Sequence, residues 1–142
     1  MPSTPPNEDI LCYLPHRPPF VMIDSIEAAK GRLTGSHFTI LADNVMVADG
    51  CLTAGGLVEN IAQTAGAATG RAAQSSGNVP SLGYIGAVKD LRIFALPRVG
   101  QTLDTEVDIV QQVMNALIVR GVVHCEGQLL ASCELKIFLQ NT

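Results

Sequence analysis

Over residues 55–73 the chain reads Gly-Gly-Leu-Val-Glu-Asn-Ile-Ala-Gln-Thr-Ala-Gly-Ala-Ala-Thr-Gly-Arg-Ala-Ala, with apolar or small residues on nearly every face of a helical period. A helix that is apolar all round is a buried one. Its small residues, Gly55, Gly56, Ala62, Ala65, Gly66, Ala67 and Ala68, let a sheet approach closely, against the intrinsic cost of glycine in a helix. The polar run that begins at Ser75 and passes Gly77 and Pro80 ends it.

Before the helix, residues 20–28 and 32–41 are rich in apolar and β-branched side chains, and Lys30-Gly31 between them supplies a turn residue that tolerates positive φ. That is a first hairpin. After it, residues 81–94, 102–113, 116–125 and 128–140 read as strands, with residues 97–100 and Met114-Asn115 separating the first three. Between the last two, Gly127 is placed in the left-handed position of a three-residue loop. This register sets Val119, Gly121 and Val123 opposite Cys133, Ala131 and Leu129, so that apolar faces agree. A plain two-residue turn would oppose them to Glu134, Ser132 and Leu130 and is rejected.

A hairpin, one long helix and a run of antiparallel strands predict an α+β fold with the sheet packed on the helix. Residues 1–8, polar and proline-rich, are expected to be disordered, and a single domain to span residues 9–142. One small sheet curled round one helix leaves an edge and an apolar face to cover, for which a second copy is the natural solution. Composition points the same way: 47% of residues are hydrophobic and 15% charged, a surplus that suggests a buried subunit interface.

A formal charge of −4 without a dense Lys/Arg run argues against a nucleic-acid partner. No apolar run is long enough to span a membrane and the first residues lack the pattern of a signal peptide, so a cytoplasmic protein is expected. Cys12, Cys51, Cys125 and Cys133 form no C-x-x-C pair, and no histidine stands at metal-ligand spacing, so no metal or other cofactor is expected and the cysteines read as buried small residues.

Four segments carry a resemblance. Leu14-Pro15-His16-Arg17-Pro18-Pro19-Phe20-Val21-Met22-Ile23-Asp24 resembles the opening signature of the beta-hydroxyacyl-ACP dehydratases. Glu59-Asn60-Ile61-Ala62-Gln63 is similar to the acid-bearing helix of that family. Tyr84 to Lys89 with Pro97 to Gly100, and Cys125 to Ala131, resemble its following strand and turn and its last hairpin. The resemblance implies a hotdog fold, a homodimer with two sites at the subunit interface, and a substrate carried on phosphopantetheine, as an acyl carrier protein or coenzyme A thioester. One departure stands out. The family's histidine, usually in a Gly-His-Phe-Pro-Gly segment fourteen residues before the helix acid, falls here on Val45, and residues 42–50 contain no histidine.

Glu59 is therefore the principal catalytic candidate. The only other charge on its helix is Arg71, and burial of a lone carboxylate favours its neutral, proton-donating form. Gln63, one turn later on the same face, can hydrogen-bond it. Ala54, Gly55 and Gly56 offer helix N-terminal amides to polarise a thioester carbonyl. Asn44 and Asp49 are the polar groups nearest the vacated histidine position. Lys89, Arg92 and Arg98 form a candidate docking patch for an acidic carrier. His16, His37 and His124 read as structural or exposed. Small residues on the helix leave room for an acyl tunnel, with Ala62 and Ala65 as its expected wall. Dehydration of a 3-hydroxyacyl thioester is the leading function; thioester hydrolysis and non-catalytic acyl-thioester binding are the alternatives.

Overall fold

The computed structural model describes residues 9–78 and 83–140; the segment expected to be disordered, residues 1–8, lies outside them, as does the beginning of the strand expected from residue 81. In chain order the elements are β1 (Ser25–Ile26), β2 (Leu33–Thr39), β3 (Val47–Ala48), β4 (Cys51–Leu52), α1 (Ala54–Ser75), β5 (Gly83–Ile93), β6 (Thr102–Val113), β7 (Ala116–Cys125) and β8 (Gln128–Leu139). Six of them form one antiparallel sheet in the order β1-β2-β6-β7-β8-β5, against which α1 packs, and β3 and β4 make a separate hairpin. This is the hotdog arrangement. No helix among the described residues is long and apolar enough to cross a membrane.

The helix begins where Thr53, in extended conformation, caps it by accepting from the Gly56 amide at 3.3 Å. It ends in a Schellman motif: Gly77 takes φ +81°, its amide donates to Gln74 O, and the Asn78 amide donates to Ala73 O. Leu57, Ile61 and Ala65 are fully buried against Leu103, Val107, Val119, Val123 and Leu135 of the sheet. Each large side chain so buried stabilises the fold by roughly 2–3 kcal/mol. The helix is not enclosed on all sides, however. Gly55, Val58, Glu59, Ala62, Gly66 and Thr69 keep part of their surface open, a stripe that the composition of the helix had concealed.

The strand alternation fixes the inner face: Leu103, Thr105 and Val107 of β6 and Leu117, Val119, Val123 and Cys125 of β7 point inward. Two turns differ from expectation. In the last hairpin Cys125 pairs with Gln128, so the turn is the rejected two-residue Glu126-Gly127, with both residues at positive φ (53° and 79°). The extra residue lies further on, at Leu130, whose carbonyl accepts from the Phe94 and Ala95 amides. Beyond it Val119, Gly121 and Val123 face Leu135, Cys133 and Ala131, two residues away from the expected pairing but with the same faces together.

In the first hairpin the strand pairing is short, Ser25 and Ile26 with His37 and Ser36, extended by the Glu27 amide to Gly35 O at 2.8 Å and by a bridge between Lys30 and Leu33 at the turn. Residues 20–23 stay out of the ladder, because side chains of α1 take the backbone groups of Phe20 and Met22 that a strand would have used, and the ladder begins at Asp24, whose amide donates to His37 O at 2.8 Å. Cys125 and Cys133 are buried, Cys51 is half-buried, and Cys12 is exposed, contrary to the reading of all four as buried. Burial pushes the Cys133 thiol up to about 11. His37 and His124 stand on the face of the sheet away from the helix, where His37 lies between Asp104 Oδ1 at 2.7 Å and Glu27 Oε1 at 3.1 Å.

Candidate active site

The opening segment crosses α1 as a strap. Buried Asn60 donates through Nδ2 to Met22 O at 2.8 Å, and its Oδ1 accepts from Thr105 Oγ1 at 2.6 Å. Gln63 Oε1 accepts from the Met22 amide at 2.7 Å, which orients the side-chain amide. Its Nε2 then donates both to Phe20 O at 2.8 Å and to Glu59 Oε2 at 2.7 Å. Within the strap, Arg17 Nη1 donates to Leu14 O at 2.9 Å and His16 O at 2.7 Å, pinning the bend.

This geometry places Glu59 between two hollows. One, of about 250 Å³, is lined by Ala62, Gly66 and Thr69 of α1 and by Leu117, Ile137 and Leu139 of the sheet. The other, of about 370 Å³, lies towards the helix N-terminus and is lined by Phe20, Met22, Val45, Met46 and Gly55. Glu59 and His16 border both. The burial expected of Glu59 is not observed: 32% of its side chain is exposed, and Gln63 supplies it with a hydrogen bond.

His16 is the residue that sequence reasoning set aside. Its Nε2 stands 3.5 Å from Glu59 Oε2. The two positions are 43 residues apart, and what joins them is the strap's attachment to Asn60 and Gln63, which periodicity does not reveal.

The other candidates are distributed as follows. Gly55 borders the second hollow, whereas the Gly56 amide is taken by Thr53 and Gly56 itself is pressed beneath Leu52, whose Cδ1 would lie 2.6 Å from an added Cβ. Ala54 opens the helix and lines neither hollow. Asn44 folds its own loop, accepting from the Met46 amide at 2.8 Å, and exposed Asp49 forms the β3–β4 turn at φ +53°; neither borders the hollows at Glu59. Val45 does border one, so the place where the family histidine would fall faces Glu59 without a polar group. Lys89 stands opposite Glu134 and Arg92 opposite Ser132 on β5, and Arg98 lies in the turn after it; all three are exposed.

The helix separates the two alanines expected to line a tunnel. Ala62 lines the 250 Å³ hollow; Ala65 is fully buried against the sheet. Ala62→Leu is expected to shorten the longest acyl chain accepted, with thermal stability kept, and Ala65→Leu to lower stability by about 1–3 kcal/mol through overpacking. A chain-length series and melting curves check both.

A helix packed on an antiparallel sheet, with a carboxylate beside a mainly apolar hollow, defines a hotdog protein with a candidate acid–base site. The sequence model of the ApeP-like family, described as ApeP dehydratase, matches residues 8–142, and the chain belongs to that family. Its fold is similar to a chain of the dehydratase heterocomplex ApeI:P from Xenorhabdus doucetiae, at a TM-score of 0.87 and 22% identity over 95% of this chain and 93% of that one. It is also similar to a hypothetical thioesterase with coenzyme A from Streptococcus pneumoniae TIGR4 (TM-score 0.61, 13% identity, 82% and 85% covered). The E. coli PaaI protein from the phenylacetic acid degradation operon gives a TM-score of 0.61 at 14% identity, with 80% of each chain covered. No curated protein matches the sequence at a significant level.

Proposed function

We propose that this protein dehydrates a 3-hydroxyacyl group presented as a pantetheine thioester, with Glu59 as its acid–base group. The observation that carries the reading is the Glu59 carboxylate, oriented by Gln63 at the border of a mainly apolar hollow between the helix and the sheet. Membership of a dehydratase family supports it. The carboxylate takes a proton from C2, the C2–C3 double bond forms as the C3–O bond breaks, and the same proton leaves with the oxygen as water. The Gly55 end of α1, bordering the second hollow, is the place for the thioester carbonyl, where the helix N-terminus and the Gly55 amide stabilise developing negative charge. Exposed Lys89, Arg92 and Arg98, on β5 and the turn after it, are the cations we assign to docking an acidic carrier.

A second chain completes the assembly. Strand β5 is an edge strand with exposed Tyr84, Ile85, Val88 and Leu91, a long apolar edge of the kind that proteins cover. A two-fold axis allows it to pair with its own copy. The similar ApeI:P assembly is a heterocomplex, so a related chain is the other candidate.

Incubation with 3-hydroxyacyl pantetheine thioesters of graded length tests the reading. Enoyl thioester is the expected product. Free acid and thiol would move the protein to the thioesterases, and binding without turnover would make it an acyl-binding subunit. Sedimentation of the pure chain at micromolar concentration is expected to give a dimer; a folded monomer would point to the related chain.

A further inference from the structure

Resting on the dehydratase reading, we infer that His16 is the second catalytic group of the site: its Nε2–H donates to the departing 3-hydroxyl while Glu59 carries the C2 proton to that oxygen. The two side chains belong to one chain and border the same two hollows. Their 3.5 Å separation is longer than a good hydrogen bond, so the imidazole donor is not consumed by the carboxylate. Glu59 Oε2 is taken by Gln63, and Oε1 has no hydrogen bond among the described residues. A substrate oxygen that accepts from His16 Nε2 therefore meets an unoccupied carboxylate oxygen.

The tautomer follows from the other ring nitrogen. His16 Nδ1 is buried and has no partner among the described residues. A buried N–H without an acceptor is worse than a buried lone pair without a donor, so the neutral ring keeps its proton on Nε2, on the Glu59 side. The backbone holds the ring there, since the His16 carbonyl accepts from Arg17 Nη1 at 2.7 Å. Val45, which borders the same hollow, has no donor to offer.

In the step itself the C2–H bond breaks towards Glu59 Oε1, its electrons form the C2–C3 double bond, and the C3–O bond breaks. The proton on Oε1 passes to the departing oxygen, which leaves as water. His16 keeps its Nε2 proton throughout, and its N–H stabilises the charge that develops on oxygen. Its replacement should harm only substrates whose leaving group needs that help.

Four proteins, the parent, His16→Leu, His16→Gln and Glu59→Gln, are compared on a 3-hydroxyacyl pantetheine thioester and on the matching 3-chloroacyl thioester, whose chloride leaves without a proton. His16→Leu is expected to lose at least about 100-fold in kcat on the hydroxy substrate, the effect of removing one oriented donor. On the chloro substrate it should stay within a few-fold of the parent, and His16→Gln, which keeps an N–H, should recover part of the loss. Glu59→Gln should fail on both substrates. A His16→Leu protein that dehydrates like the parent overturns the inference and leaves the Glu59 reading standing. Equal losses on the two substrates overturn it as well, by showing that His16 only shapes the strap. An inert parent, or an active Glu59→Gln protein, removes the dehydratase reading and this inference together.

Discussion

Replacing Glu59 by glutamine is expected to slow the dehydration of a 3-hydroxyacyl thioester by at least about 100-fold, the lower end of what one acid–base group contributes. The fold should not notice. The amide is nearly isosteric with the acid, the side chain is already 32% exposed, and Gln63 Nε2 can donate to the amide oxygen as it does to Glu59 Oε2. Thermal melting should therefore stay within the small range usual for substitutions away from buried features, about 0.5 kcal/mol. The combination is diagnostic, because a stability loss alone would lower the amount of folded protein rather than its turnover. A Glu59→Gln protein that releases enoyl thioester as fast as the parent would take Glu59 out of the chemistry. The companion change, Gln63→Leu, separates presence of the carboxylate from its orientation. It strips the hydrogen bond from Glu59 and leaves the Met22 amide and Phe20 carbonyl without their side-chain partner, so both stability and rate should fall.

The two strands of residues 102–113 and 116–125 were legible in the sequence because each shows one inner face at period two, and the helix because its small residues run for more than five turns. The pairing of the last hairpin was legible only in parity. Apolar faces say which residues must share a side, but registers two residues apart satisfy that equally, and the choice is made by the bulge at Leu130, held by amides of residues 94 and 95. Glu59 and its Gln63 partner follow from helical spacing alone. His16 does not. Its place depends on a strap whose polar contacts, Asn60 to Met22 and Gln63 to Phe20, replace the strand pairing expected of residues 20–23. A segment apolar enough for a strand was diverted by two buried amide side chains, and that diversion brings the imidazole to the acid. The open stripe of the helix was hidden for a related reason: alanine and glycine are equally at home against a sheet and beside a hollow.

Gly70→Ala is expected to lower the stability of the protein by about 3 kcal/mol, although alanine is the better helix former. At this position a Cβ would overlap the Tyr13 carbonyl oxygen and crowd its carbonyl carbon and Cα, all of them backbone atoms that cannot turn aside. The contact belongs to the base of the strap, where Tyr13 closes the short helical turn Ile10–Cys12 and Arg71 extends its guanidinium over the Tyr13 ring. Relief requires the strap to lift from α1, and its lifting loosens the loop that presents His16. Melting should consequently fall by roughly 6–12 °C, at the 2–4 °C per kcal/mol typical of a chain this size, and turnover should fall with it. Gly66→Ala, one turn earlier on the same helix, supplies the control. Its Cβ would meet only Leu14 Cδ2, at an ordinary 3.7 Å, so the helix-forming advantage of alanine, up to about 1 kcal/mol, should appear as a gain in stability. Chemical denaturation of the two variants beside the parent measures both signs. A Gly70→Ala protein as stable as the Gly66→Ala protein would mean that the base of the strap at Tyr13 is not pressed against the helix, leaving the Asn60 and Gln63 contacts alone to hold His16 beside Glu59.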